Sequence, residues 1–224
     1  MSDILSSEVE KQAKKLGLEN LVEVYDAIKF RNNPPEQDAI YLFGQTKDNE
    51  SSVFERAVML FEHEVSDKIL IINAEKANGF PGYAEWHERL GKRMPGQNIY
   101  PVPIENPKAV NTLSESVELI KYATSKGHYA LGIVAAQFHM LRAFMTAASE
   151  AIRQNPGIKL HPFCGTELPW DEHVAHSQGT LYGTRRKLVE EELIRINKYQ
   201  NDGTSSKKPS IKPVKEILEY LKSY

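Results

Sequence analysis

From Asp38 onward, short apolar runs alternate with longer amphipathic stretches, and this alternation constrains the fold more than any other feature of the sequence. Short apolar runs bounded by turn residues are typical of strands, whereas apolar residues at helical spacing over three or more turns are typical of helices. Parallel strands need a crossover long enough to hold a helix. The alternation therefore predicts an α/β domain with a parallel sheet.

Five apolar runs are predicted to be strands, at residues 39–43, 68–72, 98–104, 129–135 and 159–163. The third run contains Pro101 and Pro103, which cannot donate ladder hydrogen bonds, so it is predicted to be an edge or irregular strand. The fourth run is continuously apolar, as buried central strands are. We predict a Rossmann-like three-layer sandwich with a mostly parallel sheet of about five strands.

Helical segments are predicted at both ends of the chain. Val9, Ala13 and Leu16 begin a helical pattern that continues, after a break near Gly17, to Ile28. We predict an N-terminal helical extension over 1–35, the α/β domain over 36–200, and a linker with a C-terminal helix over 201–224. Residues 201–210 have the composition of a flexible linker.

Two capping boxes are predicted, in which a Ser or Thr side chain and a Glu three residues later satisfy N–H groups at a helix start. They are Ser52-Val-Phe-Glu55 after the first strand and Thr112-Leu-Ser-Glu115 after the third. Because the box gives Thr112 and Glu115 partners, we interpret both as structural. Contact between Glu115 and a ligand is the alternative.

Composition excludes several classes of function. The 224 residues, 41% of them hydrophobic, are enough for one domain with a sizeable core. A formal net charge of −2 argues against a nucleic-acid partner. The longest nearly apolar stretch, Ala130 to Ala136, is about a third of what a membrane-spanning helix needs. One cysteine, Cys164, and a start without a signal peptide favour the cytoplasm.

The candidate site is predicted at one edge of the sheet. Ligands of open parallel sheets bind beyond the carboxyl ends of the strands, near the point where the strand order reverses. The loops that follow the five strands are rich in polar residues, at 45–51, 73–78, 105–111, 137–139 and 166–178. Gln45 and Asn73, from the first two loops, are predicted to bind the ligand.

The fourth loop, Ala135-Ala-Gln-Phe-His-Met-Leu-Arg-Ala143, takes a buried strand directly into a helix. Gln137 and His139 are therefore predicted at the helix start, where N–H groups and the helix dipole favour an anion. Arg142 follows His139 by one turn, so both side chains can bind one phosphate or carboxylate. The same dipole favours a neutral His139 that can act as an acid or base. The alternative is that His139 caps the helix and Arg142 pairs with Glu115 or Glu150.

Three further residues are candidates. Glu105, at the carboxyl end of the third strand, lacks a local partner and is predicted to be catalytic, and Asn111 is predicted to bind the ligand. Arg56, one turn into the first helix of the domain, either reaches over the sheet edge toward the ligand or is solvated.

Several motifs with a known chemistry are absent from the sequence. The sequence contains no dinucleotide-binding Gly-x-Gly-x-x-Gly, no P-loop and no Gly-x-Ser-x-Gly. His173-Val-Ala-His176 does not match a zinc signature, so no metal site is predicted. Cys164 is interpreted as a small buried hydrophobic residue.

Three segments together resemble the ElyC/SanA/YdcF family: Arg56-Ala57, Glu105 followed by Asn111-Thr-Leu-Ser-Glu115, and Gln137-Phe-His-Met-Leu-Arg-Ala143. The resemblance covers about residues 38–165, and the chain is similar to the soluble members. It implies a Rossmann-like core with a site built from the matching residues. Ala135-Ala136 stands where the family commonly has Thr-Ser, so fewer hydroxyl donors surround His139.

Three functions are predicted as alternatives. The first is a hydrolase or transferase for a phosphorylated or nucleotide-like small molecule, with Arg142 and Arg56 binding the anion, His139 as acid or base, and Glu105 orienting a hydroxyl or water. The second is a non-catalytic module that binds S-adenosylmethionine or a related nucleoside, a ligand class that the resemblance implies. The third is a protein-interaction scaffold whose terminal helices hold a homo-oligomer together.

Overall fold

The computed structural model describes residues 3–29, 36–176, 179, 181–204 and 208–224. Its central sheet has five parallel strands in the order β3-β2-β1-β4-β5. The strands are β1 Ala39–Leu42, β2 Ile69–Ile72, β3 Ile99–Val102, β4 Ala130–Ala135 and β5 Lys159–Cys164. The predicted α/β class and Rossmann-like architecture are therefore confirmed, with an all-parallel sheet. Each predicted strand is found, and Pro101 lies in the edge strand β3 as expected.

The strand order reverses between β1 and β4, which pair at the centre of the sheet. All four residues of β1 are buried, because helices cover both faces of the sheet. The carboxyl ends of these two strands therefore flank the crevice in which sheets of this kind bind ligands.

Four helices connect the strands: α3 Glu50–Glu62, α4 Tyr83–Gly91, α5 Thr112–Lys126 and α6 Met140–Gln154. Right-handed crossovers place α3 and α4 on one face of the sheet and α5 and α6 on the other, where α5 packs against α6. Short 3₁₀ turns at Gly96–Asn98 and Gln137–His139 precede β3 and α6.

The terminal segments belong to the same core as the sheet. The remaining helices are α1 Asp3–Leu16, α2 Asn20–Lys29, α7 Arg185–Gln200 and α8 Val214–Lys222. Helix α1 packs against α7, α2 packs against α8, and α6 contacts both α7 and α8. Leu5 and Val9 of α1 and Ile217 of α8 lie in the same apolar cluster as the strands. No helix in the described ranges combines the length and apolar character needed to cross a bilayer.

Part of the predicted linker over 201–210 is held in place. Asp202 accepts hydrogen bonds from the backbone N–H and the hydroxyl of Ser210, at 2.8 and 2.7 Å. Arg153 of α6 donates to the carbonyl of Ser210 at 3.2 Å. Residues 205–207 of this segment lie outside the described residues.

Helix α8 lies along the free edge of β5. The Tyr220 hydroxyl accepts from the Leu160 N–H at 3.1 Å and donates to the Ile158 carbonyl at 2.7 Å. The Tyr224 hydroxyl donates to the Leu160 carbonyl at 2.7 Å. These contacts satisfy backbone groups that an edge strand otherwise presents for pairing with another chain.

An antiparallel hairpin pairs β6 His173–Ala175 with β7 Tyr182–Thr184, and β6 lies in the polar loop predicted over 166–178. Each strand has three residues, which is too short for an alternating pattern to stand out. The hairpin is anchored to the loop after β1, because Asn49 Nδ2 donates to the Ala175 carbonyl at 2.9 Å and the Ala175 N–H donates to Asp48 Oδ2 at 2.8 Å. Arg185 holds its base by donating to Asn49 Oδ1 at 3.0 Å. The hairpin therefore covers the carboxyl end of β1.

Both capping boxes were predicted at the wrong residues. Helix α3 begins at Glu50, before Ser52, with Asn49 at its N-cap. Helix α5 is capped by Asn111, whose side chain accepts from the N–H groups of Leu113 and Ser114. Asn is a stronger N-cap than Thr, and Asn111 lies one position earlier. Thr112 and Glu115 are consequently free to make other contacts.

Candidate functional site

Four buried polar side chains meet beyond the carboxyl ends of the central strands. Glu192 of α7 is contacted by His139 and Arg142 at the start of α6 and by His176 at the end of β6. We call His139, Arg142, His176 and Glu192 the Glu192 cluster. Each of the four residues is at most 1% exposed. The cluster thus lies at the predicted edge of the sheet, but away from bulk solvent.

Arg142 is paired with a carboxylate of the protein itself. Its Nε contacts Glu192 Oε2, its Nη2 donates to Glu192 Oε1 at 3.2 Å, and its Nη1 donates to Thr112 Oγ1 at 2.9 Å. Two parallel N–H to carboxylate contacts are the geometry of a strong charge-assisted pair. Burial by itself raises the pKa of Glu192. Arg142 and the two histidines lower this pKa by a larger amount, so that it lies well below its ordinary value. Glu192 is therefore ionised and balances the charge of Arg142.

His139 is uncharged at neutral pH. Burial lowers the pKa of His139 to about 4, because the lowering effects of desolvation and Arg142 exceed the raising effect of Glu192. Nδ1 of His139 lies 3.3 Å from Glu192 Oε1 and 3.2 Å from Arg142 Nη2. With a proton on Nδ1 directed at the carboxylate, Nε2 is the basic nitrogen of the neutral ring. The neutral state is the one that the sequence predicts.

Glu115 is a second buried carboxylate, next to the cluster. It accepts hydrogen bonds from the Tyr41 hydroxyl and from the Gly44 N–H, both at 2.9 Å. Burial raises the pKa of Glu115 to about 7, against the lowering effects of these two bonds and of Arg142. Glu115 therefore exchanges its proton near neutral pH, which is a property of many groups in functional sites.

Three further residues predicted at this edge, Gln45, Gln137 and Arg56, are buried or half-buried. Gln45 is fully buried, and its Oε1 has no hydrogen-bond partner among the described residues. Gln137 is half-buried and donates from Nε2 to the Gly165 carbonyl at 3.3 Å. Arg56 is half-buried, and its Nε donates to the Cys164 carbonyl at 2.7 Å. Arg56 thus reaches the carboxyl end of β5, one of the two alternatives for this side chain.

Glu105, Asn73 and Asn111 are exposed. The Asn111 side chain is used by the cap of α5. Glu105 interacts electrostatically with Lys121, which lies roughly 13 Å further along α5 than the Arg142 partner Thr112. Asn111 directly precedes Thr112, which accepts from Arg142 Nη1, and the approach of Glu105 and Asn111 to His139 and Arg142 stays a prediction.

Two cavities adjoin the turn at Gln137 and Phe138. One lies at the carboxyl ends of β4 and β5 and is lined by Ser52, Ala136, Gln137, Phe138, Thr166, Leu168, Trp170 and Arg185. The other lies between α1, α2, α6 and α7, and Glu192 is one of its lining residues.

Glu192, His176 and Tyr41 were missed by the sequence analysis. For Glu192 a signal exists, because Leu188, Glu192 and Ile196 recur at helical spacing on one face of α7. A single carboxylate within an otherwise apolar stripe indicates a buried charge, and a buried charge needs a partner. His176 was considered only as part of His173-Val-Ala-His176, and its contact with Glu192 depends on the position of the hairpin. The position of Tyr41 depends on the sheet.

Comparisons with protein-family models, curated proteins and solved structures give no match to this chain. The resemblance to the ElyC/SanA/YdcF family stays a hypothesis that rests on the three segments described above.

We expect Glu115→Gln to remove a pH-dependent loss of stability. The folded pKa of about 7 lies above the ordinary value of 4.5, so the folded protein holds this proton more tightly than the unfolded chain does. The resulting stabilisation is complete below pH 4.5 and is lost as the pH rises through 7. By linkage the loss is about 3 kcal/mol. Because Gln keeps an oxygen for Tyr41 and Gly44, the variant should gain stability over the wild type from pH 5 to 8.

Urea unfolding at pH 5, 6, 7 and 8 measures this difference. The lowered pKa of His139 has the opposite effect, since it removes stability as the pH falls from 6.5 to about 4. Comparing variant with wild type cancels this contribution. Glu118→Gln is the control, because Glu118 lies on the same helix and pairs with the exposed Lys121. If the free energy of unfolding changes with pH by the same amount in the wild type and in Glu115→Gln, the prediction is contradicted.

Proposed function

We propose that the chain binds a phosphorylated or nucleotide-like small molecule at the carboxyl edge of the sheet and acts on it as a hydrolase or transferase. The supporting observation is the Glu192 cluster, in which a buried arginine and two histidines converge on one carboxylate beside the reversal of strand order. The cluster combines a cation for an anionic group with a neutral imidazole for proton transfer.

Stability alone does not account for the cluster. Desolvation of a buried ion pair commonly offsets its attraction, and apolar residues of similar volume are often as stabilising. Here two titratable groups next to that ion pair, His139 and Glu115, have pKa values displaced in opposite directions. Groups with such displaced pKa values concentrate at functional sites.

The proposed chemistry assigns a role to each group. His139 accepts the proton of an attacking water or hydroxyl, and Glu192 orients the imidazole and stabilises the imidazolium that forms. A new phosphorus–oxygen bond forms as the bond to the leaving group breaks, and the imidazolium returns the proton to the leaving oxygen. The Arg142 guanidinium attracts the phosphoryl oxygens, which compete with the Glu192 carboxylate for its N–H groups. Water as the acceptor gives hydrolysis, and a hydroxyl gives transfer.

The β6–β7 hairpin supports this proposal because it shields the cluster from bulk water. Its Ala175 is bound by Asp48 and Asn49, and the next residue, His176, contacts Glu192. Low solvent access strengthens electrostatic interactions with a reacting group and limits unproductive hydrolysis.

The test uses a panel of inorganic phosphate, p-nitrophenyl phosphate, nucleoside mono-, di- and triphosphates, adenosine and S-adenosylmethionine. Ligand-dependent thermal shift reports binding, and phosphate release or transfer reports turnover. We expect His139→Gln to retain binding and to lose about 100-fold or more in turnover. We expect Arg142→Met to lose binding of the phosphorylated ligand.

Glu150→Gln is the matched control, because Glu150 is buried on the same helix but pairs with Arg153 outside the cluster. It should behave as the wild type in both assays. If adenosine or S-adenosylmethionine stabilises the protein and no turnover is measured, the non-catalytic nucleoside-binding module is supported and the enzyme is not. If no member of the panel binds or reacts, the proposal is abandoned.

A further inference from the structure

Glu115 lies directly against the backbone at the carboxyl end of β1. Its Oε1 accepts hydrogen bonds from the Tyr41 hydroxyl and the Gly44 N–H, and a Cβ added at Gly44 would lie 3.4 Å from this oxygen. Only 4% of Glu115 is exposed. The ring centroid of Phe43, the residue before Gly44, lies 6.3 Å from that of His139. Glu115 and His139 are therefore both placed at the strand end where the strand order reverses.

The second oxygen of Glu115, Oε2, has no hydrogen-bond partner in the described part of the chain. Because the donors from Tyr41 and Gly44 both occupy Oε1, a proton on the carboxyl lies on Oε2 and makes it a donor. Burial raises the pKa of Glu115 to about 7, so the carboxyl is protonated below this pH. A buried O–H group without an acceptor is costly, and such groups in proteins are nearly always bonded. Oε2 thus needs an acceptor.

A cation lies next to this donor. Thr112 precedes Glu115 by three residues on α5, so the two side chains lie on one face of the helix. The Thr112 hydroxyl accepts from Arg142 Nη1 at 2.9 Å, and the charge of Arg142 acts on the pKa of Glu115. An anion with several oxygens that binds at Arg142 can therefore also accept a hydrogen bond from Glu115.

We propose that protonated Glu115 donates a hydrogen bond from Oε2 to an oxygen of the anionic ligand bound at Arg142, and that the ligand binds only while this proton is present. The anion at Arg142 rests on the proposed function, whereas the requirement for a proton rests on the contacts of Glu115. An ionised Glu115 offers no donor and repels the anion. Above neutral pH, ligand binding therefore takes up one proton from the solvent.

The other charged or titratable groups around Glu115 keep one state above pH 7. The guanidinium of Arg142, from α6, stays charged. The pKa of His139 is about 4, and the pKa of Glu192, from α7, lies well below its ordinary value. Burial raises the pKa of the Tyr41 hydroxyl, from β1, well above its ordinary value. A change in affinity between pH 7 and pH 9 is therefore assigned to Glu115.

Calorimetric titration at pH 7, 8 and 9 with sulfate and with a nucleoside monophosphate tests the inference. Sulfate keeps one charge in this range, and phosphate esters, whose second pKa is about 6, nearly do so. We expect the affinity for both probes to fall about 50-fold from pH 7 to pH 9, because binding requires the proton that Glu115 loses near pH 7. Titration in buffers of different ionisation enthalpy should show uptake of about one proton per ligand at pH 9.

Glu115→Gln keeps an oxygen for its two donors and places a permanent N–H₂ donor at the position of Oε2. Its affinity for both probes should stay constant from pH 7 to pH 9, without proton uptake. Comparison with the wild type cancels any contribution of His176, which belongs to the same cluster as Arg142. Glu118→Gln, on the same helix, is the control and should keep the wild-type pH dependence.

Tyr41→Phe is a second variant, which decides if Glu115→Gln is not folded. It removes a hydrogen bond that lowers the pKa of Glu115, so the carboxyl should keep its proton to a higher pH. The fall in affinity should therefore begin at a higher pH than in the wild type. A pH dependence that does not move in Tyr41→Phe overturns the inference.

The outcomes separate this inference from the proposed function. If affinity stays constant from pH 7 to pH 9, or falls as much in Glu115→Gln as in the wild type, the inference is overturned and the proposed function is not. If Glu115→Gln abolishes a proton-linked binding but no compound of the panel is turned over, the inference is supported and the enzymatic activity is overturned. If neither probe binds at any pH, both are overturned.

Discussion

Replacing Glu192 with Gln is expected to lower the free energy of unfolding by about 3 to 5 kcal/mol. The substitution leaves the guanidinium of Arg142, which is 1% exposed, without a counter-charge. It also directs an amide N–H₂ at groups that donate to Glu192. Because stabilities of globular proteins are about 5 to 15 kcal/mol, this loss removes a large fraction of the total. Urea unfolding at pH 7, followed by circular dichroism, measures it.

Glu190→Gln is the control on the same helix, because Glu190 pairs at the surface with Lys15, whose side chain is 60% exposed. That change should cost less than about 1 kcal/mol. Combining Glu192→Leu with Arg142→Met removes both charges together and should recover most of the stability lost in Glu192→Gln. If the Glu190 and Glu192 substitutions lower the free energy of unfolding by equal amounts, the ion pair between Arg142 and Glu192 does not have the stabilising role assigned to it.

Removal of residues 211–224 is expected to cause self-association and to lower the melting temperature. The deletion exposes the edge of β5, whose Leu160 N–H and Ile158 carbonyl are bound by Tyr220. An uncovered edge strand presents unpaired backbone groups to other copies of the chain. The deletion also removes the fully buried Ile211 and Ile217 from the core. Analytical ultracentrifugation and thermal unfolding, with the full chain as reference, measure the two effects.

Tyr220→Phe separates the hydrogen bonds from the loss of the helix. It keeps the ring but leaves the Leu160 N–H and the Ile158 carbonyl without their hydroxyl partner, at a cost of about 1 to 3 kcal/mol. The variant should keep the association state of the full chain, since α8 still covers the edge. If the deletion instead dissociates an assembly into monomers, this result supports the hypothesis that the terminal helices hold an oligomer together.

Most of the architecture could be predicted because its signals are local. Apolar runs of strand length mark β1, β2, β4 and β5, and each is followed by a helical pattern long enough for a crossover. The β6–β7 hairpin was missed because its strands are short and are fixed by contacts with Asp48 and Asn49, far away in sequence. The predicted cap positions were wrong by three residues at α3 and by one residue at α5, where the Asn111 side chain caps the helix in place of Thr112.

The candidate site was predictable only in part, because some of its contacts join residues that are far apart in the sequence. The placement of His139 and Arg142 at the start of α6 follows from residues within a few positions of them. The predicted partners of Arg142, Glu115 and Glu150, were those expected near α6, but the carboxylate that pairs with Arg142 is Glu192, 50 positions later. Its position depends on how α7 packs against α6. Glu105 is exposed, and its place at a strand end does not determine the direction of its side chain.

The pairing of Arg142 with Glu192 has a consequence for synthesis on the ribosome. Thr112 precedes Arg142 in the chain, so its neutral hydroxyl is available early, whereas the balancing charge is translated 50 residues after Arg142. A nascent chain that ends before α7 therefore contains β1 to β5 but cannot bury the start of α6 without an uncompensated charge. Folding of the carboxyl edge of the sheet must wait until α7 has emerged, although the strands that form this edge are complete earlier.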